Sequence, residues 1–276
     1  MPPQAYVHGY SDREKKRLVD QATTLTDLLH RDTFYAPDSM VLEVGCGVGG
    51  QTVALAQFSP DAKIIAMDMS RESLGIAKKR VEDEGHTNVT FQQTDIYHLP
   101  FPDSSFDHIF LCFVLEHLRK PQEALGYLKA TLKRGGTITV VEGDHGSAYF
   151  HPGSRPANRA IQCLIDIQAE MGGDSLIGRQ LYPILTQTGF ESVAVSPRMV
   201  YVDSSKPELV EGFTKNTFIA MVEAVHDQAI AKNLIDEKTW QKGIEDLYTT
   251  TLPDGTFCYT FFKGTATKGK AKKEKL

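Results

Sequence analysis

SMVLEVGCGVGGQT, residues 39–52, joins an apolar run to a turn in which Gly45, Gly47 and Gly50 satisfy the spacing G-x-G-x-x-G. The run MVLEVG (40–45) reads as a strand, and the segment after Gly50 as a helix. Glycines at such a turn let the backbone reverse sharply and let a ligand approach with no Cβ in the way. The helix beyond it offers unpaired N–H groups, which suit a pyrophosphate or a carboxylate equally. The glycines alone therefore leave a dinucleotide and other anionic ligands open, and the neighbouring residues must decide.

Outward from this turn, strands and helices alternate. KIIAMD (63–68) is a second strand, and RESLGIAKKRVEDEG a helix capped by Ser70 and stopped by Gly85. NVTFQQTD (88–95) and FDHIFLCF (106–113) are the third and fourth strands. PQEALGYLKATLKRGG is a helix with Pro121 at its start and Gly135 after its end, and TITVVEGD (137–144) is a fifth strand. This order predicts an α/β fold with a parallel sheet covered on both faces and a ligand at the carboxyl ends of its strands.

The pattern then breaks. HGSAYFHPGSRP (145–156) reads as a loop, followed by helices to about Gly172 and from about Leu176 to Thr188. FESVAVS and RMVYVD read as one long or bent strand, residues 206–251 as helical, and TFCYTFFKGTA (256–266) as a final strand. Ahead of the first strand, Ser11 to Glu14 forms a capping box that opens a helix to about Arg31. Leu18, Ala22, Leu25 and Leu29 mark its buried face, and Pro37 ends the lead-in. The expected organisation is a helical lead-in over 1–37, acting as a lid, and one domain over 38–266. That domain carries helical insertions at about 146–188 and 206–251, and a basic tail, 267–276, is expected to be disordered.

The chain has 276 residues, 41% of them hydrophobic and 24% charged, which suits a folded protein with a sizeable core. It holds no apolar run of about 18 residues, so no membrane span is expected. MPPQAYVHGYSDREKK lacks an apolar signal core, so secretion is not expected either. Cys46, Cys112, Cys163 and Cys258 lie far apart with no C-x-x-C pair, which reads as reduced thiols in a cytoplasmic protein. Net charge is −5 even though KGKAKKEKL contributes five lysines against one glutamate. The acidic remainder repels phosphate backbones, so nucleic acid is not the expected partner. No metal-ligand spacing is present, and no metal is expected.

Three carboxylates decide between the ligands. Glu43 precedes Gly45 by two residues, Asp68 stands at the tip of the second strand, and Asp95 at the tip of the third. Asp68 is placed to accept both ribose hydroxyls and fits a dinucleotide as well as its rivals. Glu43 and Asp95 do not fit one, because a carboxylate beside the loop repels pyrophosphate. They suit a cationic adenosyl ligand without phosphates, in which acids receive an ammonium, a ribose and an adenine amino group. S-adenosylmethionine is such a ligand.

At this point Glu43-Val-Gly45-Cys-Gly47-Val-Gly49, Asp68, Asp95 with Ile96, and Val114-Leu-Glu116-His117 resemble the class I S-adenosylmethionine-dependent methyltransferases. The resemblance is nearest to the small-molecule branch that includes the ubiquinone and menaquinone biosynthesis enzymes, and it covers about residues 38–145. It implies a seven-stranded Rossmann-like sheet with an antiparallel last strand, helical insertions that cover the substrate, and S-adenosylmethionine as cofactor. It further implies that Gly45 and Gly47, with Cys46 as a small loop filler, line the methionine portion. Asp68 would hold the ribose, Met69 pack on the adenine, Asp95 accept from the adenine amino group and Ile96 cover the ring. The Cys112 backbone would face the amino-acid end, with His117 close by. Met69 and Ile96 also fit as ordinary core, and Asp68 and Asp95 as strand-end turn residues.

Methyl transfer from a sulfonium is an in-line displacement that alignment and desolvation accelerate. A base is needed only where the nucleophile binds with its proton. Candidate bases cluster in Glu142-Gly-Asp144-His145-Gly-Ser-Ala-Tyr149-Phe150-His151, with His145 the first choice and Tyr149 and His151 as substrate contacts. Tyr6 and Tyr10 are placed to close aromatic faces over a sulfonium. Phe213, Phe218, Met221, Val222 and Val225 form an apolar stripe that is core or pocket wall. The expected acceptor is a small, partly hydrophobic molecule. An RNA or protein methyltransferase, and a non-catalytic binding protein that kept the fold, remain the alternatives.

Overall fold

The computed structural model describes residues 24–269. Its strands are β1 (Met40–Val44), β2 (Lys63–Asp68), β3 (Val89–Gln93), β4 (Phe106–Cys112), β5 (Leu132–His151), β6 (Glu191–Val202) and β7 (Thr256–Thr267). They form one sheet in the order β3-β2-β1-β4-β5-β7-β6. The pairings from β3 through to β5 are parallel, whereas β7 runs antiparallel to both β5 and β6. The chain winds outward from β1 to β3, then crosses back to β4 on the other side of β1. That reversal opens a crevice at the carboxyl ends of β1 and β4, where α/β sheets hold ligands.

Both faces of the sheet are covered because its central strands are apolar on both sides. Val41, Ile64 and Phe110 face the helix Arg155–Glu170 and a helical group that includes Phe213, Phe218 and Trp240. Leu42, Ile109 and Leu111 face the opposite way, under Leu125 and Leu128 of the helix Pro121–Thr131 and Leu181 and Leu185 beyond it. The apolar stripe Phe213, Phe218, Met221, Val222 and Val225 is buried in the first of these layers, so it is core. The lead-in meets the same layer: Leu25 and Leu29 are buried, and Gly212 lies so close to Thr24 that a Cβ there would fall 2.4 Å from the Thr24 hydroxyl.

Several expectations are corrected. The helix from Pro121 ends at Thr131, and β5 begins at once. β5 also runs past Asp144 to His151, where a loop was expected. Beyond an irregularity between Asp144 and Tyr149 it resumes its ladder with β7, pairing Tyr149 with Cys258 and His151 with Thr256. The first insertion therefore starts as strand, and its helices begin at Arg155. The segment 206–251 is helical as expected, built as a chain of short helices with a π-helical stretch at Val210–Ile219. The tail does not start at 267: Thr267 closes β7, and Lys268 N donates to Gly136 O at 2.9 Å. The capping box at Ser11, with Tyr6 and Tyr10, and the tail from 270 onward lie outside the described residues.

Candidate active site

The glycine turn sits at the carboxyl end of β1, as its sequence predicts. Gly45, Gly47 and Gly49 all adopt positive φ, at 69°, 52° and 82°. The amides of Gly45 and Cys46 donate to Met67 O at 2.8 and 3.0 Å, which ties the turn to β2. Asp68 completes the tie: Oδ2 accepts from Gly47 N at 2.9 Å and Oδ1 from Ser70 N at 2.8 Å. Each oxygen keeps a second lone-pair direction, which is what a ribose diol needs. Ser70 in turn caps the helix Arg71–Asp83, accepting from Ser73 N at 3.1 Å. Burial raises the Asp68 pKa above the usual carboxylate range, against the pull of its backbone donors.

Glu43 is 2% exposed, and its Oε2 has no hydrogen-bond partner among the described residues. Burial pushes its carboxyl up to about 8. A buried acid with an unused oxygen beside a glycine turn is poised to take a cationic or hydrogen-bond-donating ligand group. The thiols of Cys46 and Cys112 are buried and pushed up by desolvation, so they are protonated and not nucleophiles.

On the far side of the crevice, β4 ends in a turn with Phe113 at φ 59°. Phe113 N donates to Val141 O at 2.9 Å, and the 3₁₀ turn Leu115–His117 follows. Val114 faces the glycine turn, since a Cβ on Gly45 would lie 2.7 Å from Val114 Cγ2. His117 Nε2 lies 3.5 Å from Glu116 Oε1. Past β3, Asp95 accepts from Tyr97 N at 3.0 Å, and its second oxygen lies 3.0 Å from His98 Nδ1. Met69 is 49% exposed, whereas Ile96 is buried in the core layer that holds Leu42 and Val44.

The candidate bases separate. His145 is buried near the carboxyl end of β5, with Nδ1 2.8 Å from the Tyr259 hydroxyl and its ring edge-on to Phe218. Asp144 is held by Arg179 through two bonds of 2.6 and 2.7 Å, which occupies it as an ion pair. Tyr149 and His151 lie on the outward extension of β5, and Tyr149 places its hydroxyl 3.4 Å from Met199 Sδ of the edge strand β6. The structure thus gathers Glu43, Gly45, Cys46, Gly47, Asp68, Cys112 and His117 around the β1–β4 crevice and leaves Tyr149 and His151 apart from it. Tyr259 was missed, and Val114 was noted only within its motif, with no role of its own. A tyrosine within an aromatic strand carries no distinguishing mark in a sequence. Among the described residues no cluster of three or more His, Cys, Asp or Glu could hold a metal ion, and no helix is long and apolar enough to cross a membrane.

Residues 41–136 match a family model described as a methyltransferase domain. An uncharacterized methyltransferase of Schizosaccharomyces pombe is 36% identical over 118 residues, covering 41% of this chain and 42% of the relative. A demethylmenaquinone methyltransferase of Symbiobacterium thermophilum is 30% identical over 112 residues, covering 40% and 45% respectively. The chain thus spans less than half the length of these two relatives. Among solved structures, a Haemonchus contortus phosphoethanolamine N-methyltransferase bound to phosphomonomethylethanolamine and S-adenosylhomocysteine superposes with a TM-score of 0.56. It covers 91% of this chain and 53% of its own, and at 16% identity the likeness is one of fold.

Proposed function

We propose, from the premise that this chain carries a methyltransferase domain over residues 41–136 on the sheet of the class I S-adenosylmethionine-dependent enzymes, that it methylates a small, partly hydrophobic molecule. The observation that carries the reading is the pairing of buried Glu43 with Asp68 around a glycine turn. The unused Glu43 oxygen and the free lone pairs of Asp68 offer acceptors that suit the ammonium and hydroxyls of a phosphate-free adenosyl ligand better than the oxygens of a pyrophosphate. When bound, S-adenosylmethionine supplies a methyl group already activated on a sulfonium. Gly47 leaves backbone surface open beside its amino-acid end, and Asp68 keeps lone pairs for the ribose. The exposed Met69 offers a face to the adenine, and Asp95 an oxygen to its amino group.

In this reading His145 takes a proton from an O–H or N–H acceptor. Tyr259 holds its Nδ1, so the exchange falls to Nε2. The aromatic residues packed around it, Phe218 and Tyr259, support an apolar body on the acceptor. The demethylmenaquinone methyltransferase among the relatives supports a small-molecule acceptor too, as does the acidic balance of the chain. Four scattered free cysteines support a cytoplasmic location. The lead-in and the 206–251 segment, which meet at Thr24 and Gly212, serve as the cover of the site.

Two measurements test this. In calorimetry S-adenosylmethionine and S-adenosylhomocysteine are expected to bind and NAD is not. Micromolar NAD binding without binding of the adenosyl ligands would overturn the cofactor reading. Mass spectrometry of products formed with cofactor and cell extract identifies the acceptor. On that acceptor His145→Gln is expected to slow transfer by about 10²-fold, the scale of a lost general base, while cofactor affinity holds. Unchanged turnover would remove His145 from the chemistry.

A further inference from the structure

β4 and β5 run side by side, with Cys112 opposite Val141, so Glu142 arrives beside the turn that leaves β4. Its Oε1 accepts from Val114 N at 3.0 Å and from Leu115 N at 2.7 Å. The turn needs such a support. Phe113 holds φ 59°, a conformation that L-residues with a Cβ disfavour. The same turn sets Val114 against Gly45, where a Cβ would meet its Cγ2 at 2.7 Å.

We propose that Glu142 is a positioning residue for the adenosyl ligand, a buried strut whose carboxyl fixes the 113–115 turn as the wall facing the glycine turn at the ligand's amino-acid end. This rests on the adenosyl-binding reading above. Glu142 is fully buried, and its Oε2 has no hydrogen-bond partner among the described residues. Burial, and then the charge of Glu116, hold its carboxyl well above the usual range. A carboxyl oxygen that accepts two backbone amides is spent on holding structure. That sets Glu142 apart from His145, although both stood among the candidate bases in the sequence.

A strut that works by accepting two backbone amides on one oxygen is replaceable by glutamine, whose amide oxygen accepts as well, and not by leucine. The test is calorimetry on the full chain, wild type against Glu142→Gln and Glu142→Leu, with two ligands. S-adenosylhomocysteine carries the amino-acid end, whereas 5′-methylthioadenosine keeps the adenosine and sulfur and lacks it. Glu142→Gln is expected to bind both ligands within about twofold of wild type. Glu142→Leu is expected to lose roughly tenfold or more for S-adenosylhomocysteine and to hold 5′-methylthioadenosine within about threefold, the scale of lost support to one part of the site. Should Glu142→Leu not fold, Glu142→Asp, one methylene too short to reach both amides, carries the same comparison. Equal losses for both ligands would make the role general packing and overturn the proposal. So would unchanged affinity in Glu142→Leu, or a Glu142→Gln that behaves like it. A wild type that binds neither ligand overturns the cofactor reading itself, and this proposal with it.

Discussion

Gly49→Ala is expected to destabilise the protein by about 3 kcal/mol, read as a lowered urea midpoint with an unchanged slope. Two costs combine. Gly49 has φ 82°, where an alanine costs about 1–2 kcal/mol. Its new Cβ would also stand 2.8 Å from Ala77 Cα and 2.9 Å from Ala77 Cβ. Those atoms belong to the helix Arg71–Asp83 and cannot swing aside as a long side chain could, so that helix and the helix Gly50–Phe58 must part. Forced overpacking of this kind costs about 1–3 kcal/mol. Gly47→Ala is the control: φ is 52° and nothing lies within 4 Å of the added methyl, so only the backbone cost of about 1–2 kcal/mol remains. Equal losses in the two variants would mean that Ala77 gives way more easily than its place in a helix implies.

Asp68→Ala is expected to weaken S-adenosylhomocysteine binding by roughly 2–3 kcal/mol, a factor of about 30–150 in Kd, the scale of lost hydrogen bonds to a charged group. The loss has a direct part, at the ribose, and an indirect one. The alanine also releases Gly47 N and Ser70 N, so the glycine turn loses its tie to the second helix. Asp68→Asn separates the parts, because its amide oxygen can still accept from one of the two amides while its charge is gone. Unchanged affinity in a folded Asp68→Ala would take Asp68 out of the site.

What the sequence disclosed was local. The glycine turn, the Ser70 cap and the alternation of strands with helices are set by residues within a few positions of one another, and each appears where it was expected. What it concealed depended on distant partners. Gly146 and Ser147 look like loop, yet β5 continues beyond them because β7 offers a second ladder more than a hundred residues later in the chain. Glu142 looked like a base until its amide donors, 27 and 28 residues earlier, came into view. Lys263 passes without comment in the last strand of the sequence, but it is buried, with its ammonium on Leu29 O, Asp32 and Thr33. Periodicity also marks Phe213 and Phe218 as one apolar face without saying whether that face meets a ligand or a sheet.

The placing of β7 between β5 and β6 bears on the order in which this molecule can be assembled as it is synthesised. The crevice at β1 and β4, the acids around it and Glu142 all lie between residues 43 and 142, so that half can begin to pair while the rest is still being made. β6 is different. Among the described residues its only neighbour in the sheet is β7, so within them residues 191–202 have no strand to bond until residues 256–267 have left the ribosome. Through that interval one edge of β5 and both edges of β6 stand open, and the helices made in between are what can shield them. A chain broken off before Thr256 would lose two strands instead of one, and with them Tyr259, the residue that holds the His145 ring.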